Sequence, residues 1–157
     1  MTTGLDEKDR AILQEVSRDS SQTTKRLARK LGLPPTTVHN RIARLEKEGV
    51  ITGYSAHIDH AKAGKPLGAI INVTVNYQAL KRSQHDTAKQ IAEFEGVDEV
   101  AIVTGEMDIV VKLHVRDANE LDEFLTKKLR TVASVDRTVS WVIIHEFEGG
   151  KETVLRR

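Results

Sequence analysis

The sequence predicts an α+β protein in two parts, three N-terminal helices followed by a sheet in the order β-α-β-β-α-β. Two observations carry this. Apolar residues recur at helical spacing through the first third of the chain, then at a spacing of two from residue 67 onward. Between the two patterns lies AKAGKP at 61–66, a stretch of small residues, glycine and proline that reads as a hinge.

In the first third, Leu5, Ile12, Leu13 and Val16 form one apolar stripe. Asp6, Glu7 and Asp9 stand at its start, where the helix dipole favours acids. The polar break DSSQT ends this helix, and Thr23 and Thr24 lead into a second one carrying Leu27, Ala28 and Leu31. Gly32 suits its C-cap. Pro34 and Pro35 cannot continue that helix but fit the first turn of a third, whose apolar side is Val38, Ile42 and Leu45 and which Gly49 ends. A short helix, a tight turn and a second amphipathic helix make a helix-turn-helix. VITGYSAHI at 50–58 reads as two short strands around Gly53, which would make it winged. The expected boundaries are 1–53 for this domain and 54–66 for a connecting strand and hinge.

From residue 67, LGAIINVTVNY places Leu67, Ala69, Ile71, Val73, Val75 and Tyr77 on one face. A helix is expected over 82–94, a strand over 97–103, a tight connection at TGEMD and a strand over 107–115. Asp117 and Glu120 resemble a capping box that opens a helix with Leu121, Phe124, Leu125 and Leu129 inward. A last strand is expected over 135–147. This order is the ferredoxin-like βαββαβ arrangement, assigned to 67–150 with a C-terminal tail at 151–157. Helices cover one sheet face only, yet Ile70, Val110, Val142 and Ile144 lie opposite the main apolar rows. That surplus predicts a homodimer. Trp141 reads as core or dimer interface.

Composition sets outer limits. The 157 residues are 39% hydrophobic and 30% charged. No apolar run nears the ~18 residues of a membrane span, and MTTGLDEKDR has no signal-peptide core, so no membrane partner and cytoplasmic residence are expected. Without cysteine there is no disulfide, thiolate site or cysteine nucleophile. The net charge of +1 is unevenly spread: residues 1–53 carry ten basic and seven acidic side chains, whereas 20–45 carry six basic and none acidic.

That basic stretch points to nucleic acid. With Val38, Ile42 and Leu45 facing the core, Thr36, Asn40, Ala43, Arg44 and Lys47 point outward, with Thr37 and Arg41 on one edge and His39 on the other. Threonine reaches phosphates, asparagine pairs with adenine and arginine forks onto guanine. The expected DNA-binding set is Lys25, Thr36, Thr37, His39, Asn40, Arg41, Arg44 and Lys47, and the expected partner is double-stranded operator DNA.

The blocks LDEKDRAILQEV, LARKLGLPPTTVHNRIARLEKEGVITGY, IDHAKAG and VTGEMDIVVKLHV, in this order, resemble those of the Lrp/AsnC, or feast/famine, transcriptional regulators. The resemblance implies a DNA-binding domain hinged to an effector-sensing ferredoxin-like (RAM) domain, with dimers assembling to octamers. It also implies an amino acid or related metabolite as effector and no cofactor. The family's Gly-x-x-Asp loop falls on Gly105 to Asp108, giving Thr104, Gly105, Glu106, Met107 and Asp108 as expected effector residues. Thr138 and Ser140 of a neighbouring copy are added. Physically, a glycine admits a ligand carboxylate to backbone N–H groups, and an acid receives an α-ammonium.

Other chemistries compete. His57 and His60 have H-x-x-H spacing, but residues three apart on a strand face opposite sides, so no metal site is expected. His39, His85, His114 and His145 are scattered and form no catalytic set. Sirohaem decarboxylases resemble this architecture and would recruit His114 or His145. A RAM-type metabolite sensor without DNA binding is the third reading.

Overall fold

The computed structural model describes residues 4–77 and 83–146. They form two compact units that meet in the sequence at His57 and Ile58.

The first unit holds α1 (Glu7–Arg18), α2 (Thr24–Leu31) and α3 (Pro35–Lys47). Asp6 caps α1 in a reciprocal box: its carboxylate accepts the Asp9 N–H at 2.8 Å, and Asp9 accepts the Asp6 N–H at 3.1 Å. Thr23 caps α2, and Gly32 ends it in a left-handed conformation at φ 64°, donating its N–H to Ala28. Pro34 is the N-cap of α3 and Pro35 its first residue, a position where the missing N–H is no loss. Ile12, Leu27, Ala28, Val38 and Leu45 form the buried core, the larger side chains each contributing about 1.5–3 kcal/mol by leaving water.

Residues 50–58 make no strand, contrary to the expected hairpin. The N–H groups of Val50 and Ile51 both donate to the Leu45 carbonyl, at 2.9 and 3.1 Å, and so close the C-terminus of α3 instead of a ladder. Among the described residues no strand forms a ladder with 52–58, and a strand without a ladder partner does not form. The connector then turns at 60–64, where Lys65 donates its N–H to His60 at 2.8 Å.

The second unit is a four-stranded antiparallel sheet in the order β2-β3-β1-β4, from β1 (Leu67–Val75), β2 (Val97–Ile102), β3 (Ile109–Val115) and β4 (Val135–Val142). Helices α4 (Gln84–Ala92) and α5 (Ala118–Glu123) complete the βαββαβ order. The chain continues beyond α5 through a π-helical turn (Phe124–Lys128) and a 3-10 turn (Leu129–Thr131). The core lies between sheet and helices, where Ala69, Ile71, Val73, Ile109, Val111 and Leu113 meet Ile91, Phe124 and Leu129.

Several expectations shift here. Met107 precedes β3, and β4 ends at Val142, while the expected end at 147 lies outside the described residues. Asp117 caps α5 by accepting the Glu120 N–H at 2.9 Å, but Glu120 accepts from the Arg116 N–H at 2.7 Å rather than closing a box. Val142 pairs with Ala69 and so lies on the helix side, whereas Trp141 pairs with Ile70 on the open side. The register on the two flanks of β1 decides this, and a shift at Thr74 and Val75 makes the sides of β4 unreadable from alternation alone. Trp141 is 58% exposed and is not core.

Candidate nucleic-acid interface and effector loop

Helix α3 presents two kinds of polar side chain. Thr36, His39, Asn40 and Lys47 are exposed, Thr37 is half-buried, and none makes a side-chain hydrogen bond or ion pair with a described residue. Lys25 on α2 is likewise exposed and unengaged. Ala43 leaves the middle of the face low.

Arg41 and Arg44, expected to enter a groove, turn back onto α1. Arg41 Nη1 donates to Asp6 Oδ2 and Asp9 Oδ1, each at 2.7 Å, and Arg44 Nη2 lies 2.6 Å from Asp9 Oδ2. The reason is the Asp9 carboxylate, which is only 1% exposed. A buried carboxylate requires partners, and the two guanidiniums and the Asp6 N–H supply them. Burial acts most strongly on the Asp9 carboxyl and raises its pKa, but Arg41, Arg44 and the Asp6 amide together hold it below the ordinary value. The Asp6 carboxyl is lowered by the Asp9 N–H and then by Arg41.

Further residues escaped sequence reasoning. Tyr54 donates its hydroxyl to Glu46 Oε1 at 2.6 Å, which pushes the phenol up to about 12. Tyr54, Gln22, Leu27, His39, Ile42 and Ala43 are among the residues lining a cleft of about 260 Å³ beside α3. Lys30 pairs with Glu15 of α1 at 2.5 Å and so leaves the free basic set. Spacing along one helix cannot report contacts to another, and only the acids early in α1 hinted at them.

In the second unit, Thr104, Gly105 and Glu106 are exposed in the turn between β2 and β3, with Gly105 at φ 128°. Val103 N–H to the Asp108 carbonyl, 3.0 Å, closes that turn. The Asp108 carboxylate is engaged at both oxygens, accepting the Val75 N–H at 2.7 Å and the Tyr77 hydroxyl at 2.5 Å. Met107 Sδ accepts from Thr74 Oγ1 at 3.6 Å. Asp108 therefore ties the turn to the end of β1. Thr138 and Ser140 are exposed on β4, opposite Val73 and Ile71. Since Val73 also pairs with Ile109, Thr138 stands two strands from the turn, about 10 Å at ordinary strand spacing. One chain does not bring them together.

Comparison with known proteins agrees in both units. Residues 5–52 match the winged helix-turn-helix DNA-binding family, and residues 68–152 match the Lrp/AsnC ligand binding domain. An uncharacterized HTH-type transcriptional regulator of Pyrococcus furiosus is 37% identical over 139 residues, covering 88% of this chain and 91% of its own. The HTH-type transcriptional regulator LrpA of Mycobacterium tuberculosis is 34% identical over 155 residues, 98% of this chain and 99% of its own. Among solved structures, a feast or famine regulatory protein of M. tuberculosis complexed with L-methionine superposes with a TM-score of 0.83 at 32% identity, covering 94% of this chain and 97% of that one. The chain belongs to the Lrp/AsnC family of transcriptional regulators, with a helix-turn-helix unit for DNA followed in the chain by a ligand-binding sheet unit.

Proposed function

We propose that this regulator reads operator DNA through the outer face of α3, as a homodimer whose DNA binding or assembly responds to an amino acid, and that it catalyses no reaction. The observation that carries the reading is the unengaged, acid-free surface of Thr36, His39, Asn40, Ala43 and Lys47. Arg41 and Arg44 hold the pose of α3 through Asp9, while Asn40 reads a base edge and Thr36, Lys25 and Lys47 meet phosphates. Support for dimerisation comes from Trp141, Ile70, Val110 and Val139 on the sheet face that no helix covers. Dimers then assemble to octamers, as the family resemblance implies. For the effector, the L-methionine complex of the mycobacterial relative points to amino acids as a class. Thr104, Gly105 and Glu106 are the residues open to such a ligand, with Asp108 positioning them and Thr138 and Ser140 supplied by another copy.

The test starts from duplexes selected by the protein from a random library, followed by titrations at several salt concentrations. Affinity falls steeply with salt, and Asn40→Ala costs about 1–3 kcal/mol while relaxing preference at one position of each half-site. Affinity that ignores both salt and Asn40→Ala refutes the α3 reading and leaves a metabolite sensor without DNA binding. Sedimentation of the full chain at micromolar concentration shows a dimer or larger; a monomer refutes the proposed assembly. A thermal-shift screen of the common amino acids identifies the effector, and Asp108→Ala abolishes the response.

A further inference from the structure

We propose that His60, Asp98 and His114 form a binding site for a divalent transition-metal ion, zinc being the best match. The three residues come from the connector turn, β2 and β3, and their ligand atoms all lie within 4.8 Å of one another. His57, which shares the H-x-x-H spacing with His60, is not among them.

Each member is placed by a distinct feature of the fold. Asp98 occupies an irregularity in the β2–β3 ladder, where Val97 faces Leu113 and Glu99 faces Lys112, leaving Asp98 as the extra residue. Such a bulge re-aims a side chain, and here it brings Asp98 Oδ2 to 2.6 Å from His114 Nδ1. His114 is 7% exposed and its ring lies over Gly68, where a Cβ would come within 3.0 Å of Nε2. His60, half-buried, stacks on that ring with centroids 3.7 Å apart and 8° between planes. Glu146 stands on the far side, its Oε2 3.7 Å from His114 Nε2, and is held by Lys112.

Both nitrogens of one buried imidazole thus face a carboxylate. The ion takes the Nδ1 side with Asp98, and Glu146 at Nε2 serves as the outer partner that fixes the ring, the usual device around metal-bound histidine. Two imidazoles and a carboxylate without sulfur select zinc, or cobalt, nickel and copper, over magnesium and calcium. Bonds of about 2.0–2.2 Å require the ligand atoms to draw together. An imidazole lone pair lies in its ring plane, so His60 must swing out of the stack; its place in a turn rather than in the sheet permits this. The ion would fasten the connector to the sheet.

The test uses the full chain without a histidine tag, stripped by a chelator and titrated calorimetrically with zinc chloride. Cobalt uptake followed by visible absorption is the second readout. Wild type takes up one ion per chain; His60→Ala and Asp98→Asn each weaken binding by at least 10-fold, the scale of changes around metal sites. His57→Ala leaves it unchanged. Since His114→Ala removes a buried ring packed over Gly68 and against His60, the two better-exposed positions are the decisive ones, with circular dichroism to confirm folding. No stoichiometric uptake, uptake indifferent to both variants, or loss on His57→Ala overturns the site.

Discussion

The two units are stabilised by different means. The sheet unit buries fourteen apolar residues in one cluster among the described residues, and its helices rest on them. Among the described residues the helical unit buries five, and alongside them the Asp9 carboxylate, which Arg41 and Arg44 reach from the surface. A small core leaves little margin, so an ionic cluster there does more than decorate a surface. It joins α1 to α3 and engages Arg41 and Arg44, leaving Thr36, His39, Asn40 and Lys47 as exposed, unengaged polar side chains of α3.

Core truncations give the largest effect. Leu45→Ala and Ile71→Ala each cost about 2–5 kcal/mol locally. Leu45→Ala is expected to remove hydrogen-exchange protection from the three N-terminal helices while leaving Ile71 and Leu113 protected, and Ile71→Ala to do the reverse. If either variant strips protection from both units together, they fold as one and the comparison breaks. Next is Asp9→Ala, which leaves two guanidiniums without their buried acceptor. We expect a loss of about 2–3 kcal/mol, toward the lower end for breaking a buried pair because both arginines keep contact with water. Its DNA affinity should fall with α3 disordered and recover partly when a tight duplex is in excess. A loss as small as that of a surface pair would remove the cluster from the core of the unit.

Acid sharpens the same contrast. The Asp9, Asp6 and Glu15 carboxyls are all lowered in the folded state, Glu15 chiefly by Lys30. A lowered folded pKa means the unfolded chain binds protons first. The stabilisation is therefore full above the unfolded values near pH ~4 and is lost as pH falls through the folded ones. Asp59, Glu120, Glu123 and Glu146 of the sheet unit are lowered too, by partners nearer the surface. Because Asp9 alone among all these carboxyls is buried, acid titration followed by exchange should open the helical unit first, and Asp9→Asn should shrink that gap. The smallest effect belongs to Tyr77→Phe, which removes an exposed phenol's bond to Asp108. We expect a slight fall in melting temperature of the sheet unit and faster amide exchange at Asp108, with DNA binding unchanged.

Periodicity and punctuation in the chain were sufficient for most elements. Gly32, Pro34 and Pro35 mark the turn between α2 and α3, and the period-two run from Leu67 is β1. These are local signals, each dictated by the φ/ψ limits of a residue or by which face it buries. The misread pieces depend on partners. Residues 50–58 have strand-like composition, but no ladder forms where no described strand lies alongside. Val142 lies on the helix side instead of opposite it because register across β1, with its shift at Thr74, sets the sides of β4.

The site residues divide the same way. The sequence by itself determined a helix-turn-helix whose third helix carries no acid from Pro35 to Leu45, and a βαββαβ unit with a glycine-bearing turn at 104–108, since these follow from spacing along one strand or helix. Only the tertiary structure decided that Arg41 and Arg44 serve Asp9, that Asp108 serves Tyr77 and Val75, and that His60 meets His114 and Asp98. The physical reason is distance along the chain: these carboxylates and rings lie more than thirty residues from most of their partners. A charge's partner is chosen by what folding brings beside it once water has been withdrawn.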